Sequence, residues 1–361
     1  MRLPKIGEEF DTEQICEMVD LFMAAGMKYF DTAFAYPGSE EQIRKALVER
    51  YPRDSYYLAT KLFAAIAGSK EEAEQEFYTS LQRTGAEYFD FYLLHNLGNE
   101  RTQYYEDYGL WDFVRARKEE GLIKHYGFSF HDKAEVLDQI LTAHPDAEFV
   151  QLQINYADWN EVSIESGKCY EVARRHGKPI VVMEPVKGGI LASPPEKVAE
   201  VFKKANPEWS LPSWCIRFAA SLPGVLTVLS GMSSIEQMKD NLANMQDFQP
   251  LSEEEQEVIV KAREVLNSYD TIPCTACEYC MGGCPQEIHI PSIFSAVNKY
   301  RIYQNYESAK HSYAWETVSQ GRAAASDCIQ CGACEEVCPQ HISIREELAE
   351  TAKLFETDSA S

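Results

Sequence analysis

Tyr56-Tyr57-Leu58-Ala59-Thr60-Lys61-Leu62 is followed, after a short gap, by the amphipathic stretch Lys70–Arg83 and then by Phe89-Asp90-Phe91-Tyr92-Leu93-Leu94-His95. The outer segments are short apolar runs and the middle one has helical spacing, so the stretch predicts strand, helix, strand. Two strands joined by a helical crossover lie parallel. Runs that are apolar on both faces suit a sheet covered on both sides.

The same alternation extends in both directions. Apolar runs recur at Tyr29–Thr32, His125–Phe130, Phe149–Asn155, Ile180–Pro185 and Val225–Gly231, with helical patterns from Thr12–Ala25 to Ser234–Met245 between and around them. The reading is an α/β chain folded as a (β/α)8 TIM barrel over residues 1–250. Seven strands are clear and the barrel needs eight. Met1-Arg2-Leu3-Pro4 is expected to supply the end of the first strand, either as a very short stub or as the remainder of a strand that begins upstream.

Composition narrows the function. The chain has 361 residues, is 45% apolar and carries a net charge of −23. So acidic a chain is a poor partner for nucleic acid or an anionic membrane surface. No apolar run reaches the roughly 20 residues of a membrane span, and the first residues show no secretory h-region. Eleven cysteines without an export signal point to metal binding in a reducing, cytoplasmic setting rather than to disulfides.

Eight of those cysteines form one pattern twice: Cys274-x2-Cys277-x2-Cys280-x3-Cys284-Pro285 and Cys328-x2-Cys331-x2-Cys334-x3-Cys338-Pro339. The repeat continues through Gln-x-Ile-x-Ile, at Ile288 and Ile290 and again at Ile342 and Ile344. This spacing suits two [4Fe–4S] clusters, the fourth cysteine of each run serving the other cluster. The expected ligand sets are Cys274, Cys277, Cys280 and Cys338 for one, and Cys328, Cys331, Cys334 and Cys284 for the other. Zinc sites usually show separated Cys-x2-Cys pairs without the trailing Cys-Pro. A bridging helix is expected within 251–270, then a small α-rich ferredoxin-like iron–sulfur domain over 271–357 and a disordered tail at 358–361. The remaining Cys16, Cys169 and Cys215 read as ordinary buried thiols.

Barrel catalysis takes place at the C-terminal ends of strands. There the chain places Asp31, Lys61 and His95, with Tyr36 on the loop after Asp31. Phe30-Asp31-Thr32-Ala33-x-x-Tyr36, Ala59-Thr60-Lys61, Leu94-His95 and Tyr126-Gly127-Phe128-Ser129 resemble, in order, the motifs of the aldo-keto reductase family. The likeness covers about residues 1–247, and the whole chain resembles aldo-keto reductases that carry a C-terminal ferredoxin-like domain. The chemistry of the residues agrees. Carbonyl reduction needs a hydride at carbon and a proton at oxygen. Tyr36 would donate that proton if a nearby cation, Lys61, lowered its pKa; Asp31 would hold the ammonium and His95 would orient the carbonyl.

The resemblance also implies a nicotinamide cofactor. Ser129 and Gln153 match residues that hold the carboxamide, and Asn241 falls near the adenine. Phe130 stands where an asparagine is usual, and Val182-Met183-Glu184-Pro185 replaces a stacking tyrosine. Gly231 and Gln237 stand where a lysine and an arginine often grip a 2′-phosphate, and glutamine offers no bidentate cation. NADH and NADPH thus both remain open. Clusters pass single electrons whereas nicotinamide exchanges a hydride, so a flavin in the cleft or on a redox partner protein is the alternative, although no flavin fingerprint occurs. The leading expectation is an oxidoreductase acting on a small carbonyl or alcohol; the alternative is an electron-transfer component that docks a partner. Trp111 is expected in the core and His125 in the interior or behind the site. Tyr156, Trp159 and Phe34 either line an aromatic pocket or simply pack.

Overall fold

The computed structural model describes residues 3–98, 100–162 and 164–357. Met1 and Arg2 of the expected first strand, and the tail at 358–361, lie outside them. The chain divides into two compact units, Met1–Ala192 with Phe202–Ile259, and Ser193–Val201 with Val260–Ser361.

The first unit opens with a small antiparallel hairpin, β1 (Lys5–Ile6) and β2 (Glu9–Phe10), which turns at Gly7 with φ of 63°. Seven parallel strands then follow in chain order: β3 (Tyr29–Asp31), β4 (Tyr57–Leu62), β5 (Phe89–Leu97), β6 (Ile123–Phe130), β7 (Phe149–Gln153), β8 (Ile180–Met183) and β9 (Val225–Val228). The eighth strand expected at Met1–Pro4 does not form among the described residues. Leu3 and Pro4 lie outside any strand, and the chain instead reverses through the hairpin, the Asp11 N–H donating to the Pro4 carbonyl at 3.0 Å.

Helices cross between the strands. They are α1 (Thr12–Ala24), α2 (Ser39–Ile43), α3 (Lys70–Thr84), α4 (Arg101–Asp107), α5 (Leu110–Glu119), α6 (Ala134–Ala143), α7 (Ser166–Arg175), α8 (Glu196–Ala205), α9 (Leu211–Ala220) and, after β9, α10 (Ile235–Met245). Their ends follow local chemistry. Ser69 caps α3 by accepting from the Glu72 N–H, acids fill its first turn, and Gly85 ends it in the left-handed conformation. The helical segment between β5 and β6 is divided at Gly109, whose φ is 63°.

Alternate residues of the strands point inward. Ala59, Leu93, Phe149 and Val181 form one interior layer. Gly127 of β6 is required there, because a Cβ would lie 2.2 Å from the Phe149 carbonyl oxygen. Two residues further along β4, β5 and β6 come Lys61, His95 and Ser129, so the next layer is polar. The expected set reaches one end of the sheet through this alternation.

In the second unit, α12 (Ile290–Tyr303), α13 (Tyr306–Glu316), α14 (Ala333–Glu336) and α15 (Ile344–Phe355) surround a core containing Ile288, Ile290, Phe294, Ile342, Ile344 and Leu348. The repeat is structural as well as sequential. Glu287 and His341 both have φ of 52°, and each Ile-x-Ile closes with an N–H to carbonyl bond, Ile290 to Ile288 and Ile344 to Ile342. A helix starts at the second isoleucine each time. The division between units falls inside α11 (Glu253–Asn267), the helix expected to bridge.

Candidate active site and cysteine cavities

Parallel pairing sets Asp31 beside Ala59 and Lys61 beside Leu93, which brings three strand ends together. The Lys61 side chain is fully buried. Its Nζ donates to Asp31 Oδ1 at 2.6 Å and to the Thr32 carbonyl at 2.6 Å. The same nitrogen lies 5.1 Å from the centroid of the Tyr36 ring, and His95 meets that ring edge-on with centroids 5.7 Å apart. All four residues expected to be catalytic therefore meet.

The electrostatics differ in one respect from the expectation. Lys61 is the largest single influence on Tyr36 and pulls its phenol down. Burial and the carboxylates of Asp31 and Glu184 together push harder, so the Tyr36 pKa stands above the ordinary tyrosine value. Glu184 had no role in the sequence reading. It follows β8 with φ of 55°, in the segment noted there for its missing tyrosine. His95 is held well below the usual histidine range, first by burial and then by the charges of Lys61, His131 and Arg101. It is neutral at pH 7. Its main-chain carbonyl accepts from the Tyr105 hydroxyl, which bonds the Leu62 carbonyl as well and so ties the ends of β4 and β5 together.

On the helix-facing side, two buried glutamates support these ends. Glu40 accepts from the Thr60 hydroxyl at 2.7 Å, and Glu76 accepts from the Phe63 N–H at 2.7 Å. Burial, with a smaller contribution from Glu40, raises Glu76 to about 7. Between about pH 4.5 and 7 the folded protein keeps a proton that the unfolded chain has released, so stability falls as pH rises through that window. Glu76→Gln should remove that fall, worth about 3 kcal/mol in full. Urea unfolding at pH 5 and pH 8 measures it, and an equal slope in both proteins would show that Glu76 does not titrate there.

The residues expected to hold nicotinamide fit in part. Ser129 is fully buried, and its oxygen accepts from the Asn96 N–H at 2.7 Å, which leaves its own proton to donate. Asn96 has φ of 61°, where β5 loses register with β6. The Gln153 amide donates to Asp158 at 3.2 Å; Asn155 and Lys187 donate to the same carboxylate. Asn241 donates to the Ser230 hydroxyl at 2.9 Å. Gly231 and Gln237 are exposed, and Gln237 accepts from the Ser233 N–H at 2.8 Å. Neither position offers a cation to a 2′-phosphate.

Several side expectations are corrected. The His125 side chain is 52% exposed and bonds Glu148, because it sits on the first half of β6, away from the strand end. Tyr156 is fully buried against Phe202, Trp159 packs on Tyr170 and Phe218, and Phe34 lies under Arg83, so these rings pack. Trp111 is buried as expected. Cys169 and Cys215 are buried and Cys16 is half-buried. Burial pushes the Cys169 thiol up to about 12.

In the second unit the cysteines gather in quartets. Cys274, Cys277, Cys280 and Cys338 line one cavity, and Cys284, Cys328, Cys331 and Cys334 line another. Among the described residues no three His, Cys, Asp or Glu converge closely enough to hold a single metal ion. Four cysteine thiols lining one cavity, three of them from one Cys-x2-Cys-x2-Cys run and the fourth from the other run's Cys-Pro, suit an iron–sulfur cube better than a lone zinc.

The comparisons with known proteins place the chain. The model of the aldo/keto reductase family matches residues 1–264 and that of the 4Fe-4S dicluster domain matches residues 273–343. The chain belongs to the aldo/keto reductase family of oxidoreductases and carries a C-terminal 4Fe-4S dicluster domain. An aldo-keto reductase of Strobilurus tenacellus is 28% identical over 236 residues, 63% of this chain and 65% of that one, so the chain spans just under two thirds of that relative's length. An aldo-keto reductase of Mycolicibacterium vanbaalenii is 28% identical over 244 residues, 66% of this chain and 79% of that one. Solved structures agree in fold. The holo form of an aldo-keto reductase from Bacillus halodurans superposes with a TM-score of 0.56 at 24% identity, covering 72% of this chain and 91% of that one. One from Klebsiella pneumoniae in complex with NADPH gives 0.54 at 21%, covering 69% and 84%. No helix among the described residues is long and apolar enough to cross a membrane.

Proposed function

We propose that the barrel reduces a small carbonyl compound, or oxidises the corresponding alcohol, at the Tyr36, Lys61, Asp31 and His95 end of the sheet. The observation that carries this is the fully buried Lys61, held by Asp31 and facing the Tyr36 ring. Bound NAD(P)H would supply the hydride to the carbonyl carbon. Tyr36 Oη gives its proton to the carbonyl oxygen. A pKa above the ordinary tyrosine value keeps that proton in place until it is needed, and the Lys61 charge stabilises the phenolate that remains. Neutral His95 donates an N–H to the same oxygen and sets its direction. Ser129 and Gln153 would hold the carboxamide, with Asn241 beside the adenine. Exposed Gly231 and Gln237, with Glu236 next to them, support use of NADH at least as readily as NADPH.

The two cysteine quartets would each hold one [4Fe–4S] cluster. Anaerobically purified protein, assayed with both nicotinamides across a panel of aldehydes, ketones and oxo acids, tests the reading. Nicotinamide-dependent reduction with no strong preference for NADPH is the expected result. Absence of any such turnover, together with flavin absorbance bands, would favour the electron-transfer alternative instead.

A further inference from the structure

The cysteine runs repeat at an interval of 54 residues, from Cys274 to Cys328 and from Cys284 to Cys338. The two cavities obey the same repeat. Ile342 and Ile344 line the first where their mates Ile288 and Ile290 line the second, and Phe294 lines the first where Leu348 lines the second. Charge breaks the symmetry at two of these paired positions. Glu278 lines the first cavity, and its mate in the second is Gly332. Arg345 lines the second cavity, and its mate in the first is Pro291.

Arg345 is fixed in place. Its Nε and Nη2 donate to Glu335 Oε2 at 2.9 and 2.8 Å, and its main-chain N–H donates to Glu335 Oε1 at 2.8 Å. Glu335 does not line the cavity, so the cationic end of the pair faces the thiols. The guanidinium lies over Gly332, where a Cβ would come within 3.6 Å of it. Gln330 adds an amide N–H to the Cys328 sulfur at 3.6 Å, and its repeat mate, Ala276, has no donor. Glu335, whose mate is Met281, offsets part of the Arg345 charge. The two charges that line the cavities, Arg345 and Glu278, and the Gln330 N–H each favour extra negative charge in the second cavity over the first.

Taking up one electron from an external one-electron donor adds one negative charge to a four-thiolate cluster and breaks no bond. Local charge and hydrogen bonds to sulfur set how readily that happens. We propose that the two clusters are unequal, the one held by Cys328, Cys331, Cys334 and Cys284 having the higher reduction potential, so that a single electron entering this domain comes to rest there. This rests on the reading of the quartets as cluster ligands. Solvent screens part of the effect, since the Arg345 side chain is 43% exposed. The expected bias from Arg345 is therefore about tenfold in the one-electron equilibrium constant, or about 59 mV.

The test uses the full-length protein, anaerobically reconstituted, with iron and sulfide quantified in every sample. It is titrated with dithionite through redox mediators and followed by electron paramagnetic resonance. The wild type should reduce in two separate one-electron steps. Arg345→Gln should lower the midpoint of the higher step by about tenfold in its equilibrium constant, Arg345→Lys should hold it near wild type, and Glu278→Gln should raise the lower step. An iron-loaded Arg345→Gln protein with both midpoints unmoved, or with the lower step moved instead, overturns the proposal. A preparation that takes up no iron overturns the ligand reading beneath it.

Discussion

Tyr36→Phe is expected to lower carbonyl turnover by about 10²- to 10⁴-fold while nicotinamide affinity stays within about twofold. The substitution removes one oxygen and keeps the ring that His95 meets edge-on, 5.7 Å away between centroids. Lys61 and Asp31 keep their bond to each other, and the Thr32 carbonyl keeps its share of the ammonium. What is lost is the proton donor alone, so kcat falls and binding does not. Steady-state kinetics with direct nicotinamide titration measure both. Turnover close to wild type would remove Tyr36 from the proposed mechanism and leave the barrel without an acid.

The second large effect concerns stability as well as rate. Lys61→Met matches the length of the side chain and deletes its charge. Asp31 then loses the cation bonded to Oδ1, while its Oδ2 is already buried without a hydrogen-bond partner among the described residues. Removing one member of a buried ion pair costs about 3–5 kcal/mol, because the other charge is left in a medium that solvates it poorly. The phenol of Tyr36 also loses the strongest influence holding its pKa down, so its anion becomes harder to form. Urea unfolding should show the loss, and Lys61→Met with Asp31→Asn should recover part of it. A single variant as stable as the wild type would mean that the Lys61–Asp31 pair contributes nothing to the fold.

Much of the fold was legible because its signals are local. The Tyr56–His95 stretch carries its own strand, helix and strand, and the observed β4, α3 and β5 fall on it with small shifts. The ends differ for tertiary reasons. β5 runs on to Leu97 because Asn96 adopts a left-handed conformation and reaches the Ser129 hydroxyl, a partner 33 positions away. Leu3 and Pro4, expected to end a first strand, lie outside any strand, and the chain after them turns through a hairpin closed between Pro4 and Asp11. Helix α15 was missed although the repeat pointed to it, since Ile344 is the mate of the isoleucine that opens α12.

The candidate site divides in the same way. Asp31, Tyr36, Lys61 and His95 were readable because a strand end followed by a loop is a position along the chain. Glu184 was not, since its influence on Tyr36 depends on the sheet curving until the end of β8 faces the loop after β3. Glu40 and Glu76 look like surface residues of acidic helices, and only packing against β4 reveals them as buried.

By itself the sequence determined the doubled cysteine pattern, the strand–helix alternation and the order of the barrel motifs. All of these are distances counted along one chain. Tertiary structure alone decided how the charges balance. It set the net upward pull on Tyr36 against Lys61, the near-neutral pKa of Glu76, and the placing of Arg345 over one cysteine cavity and Glu278 over the other. Those are sums over burial and separation in space, and residue spacing carries neither.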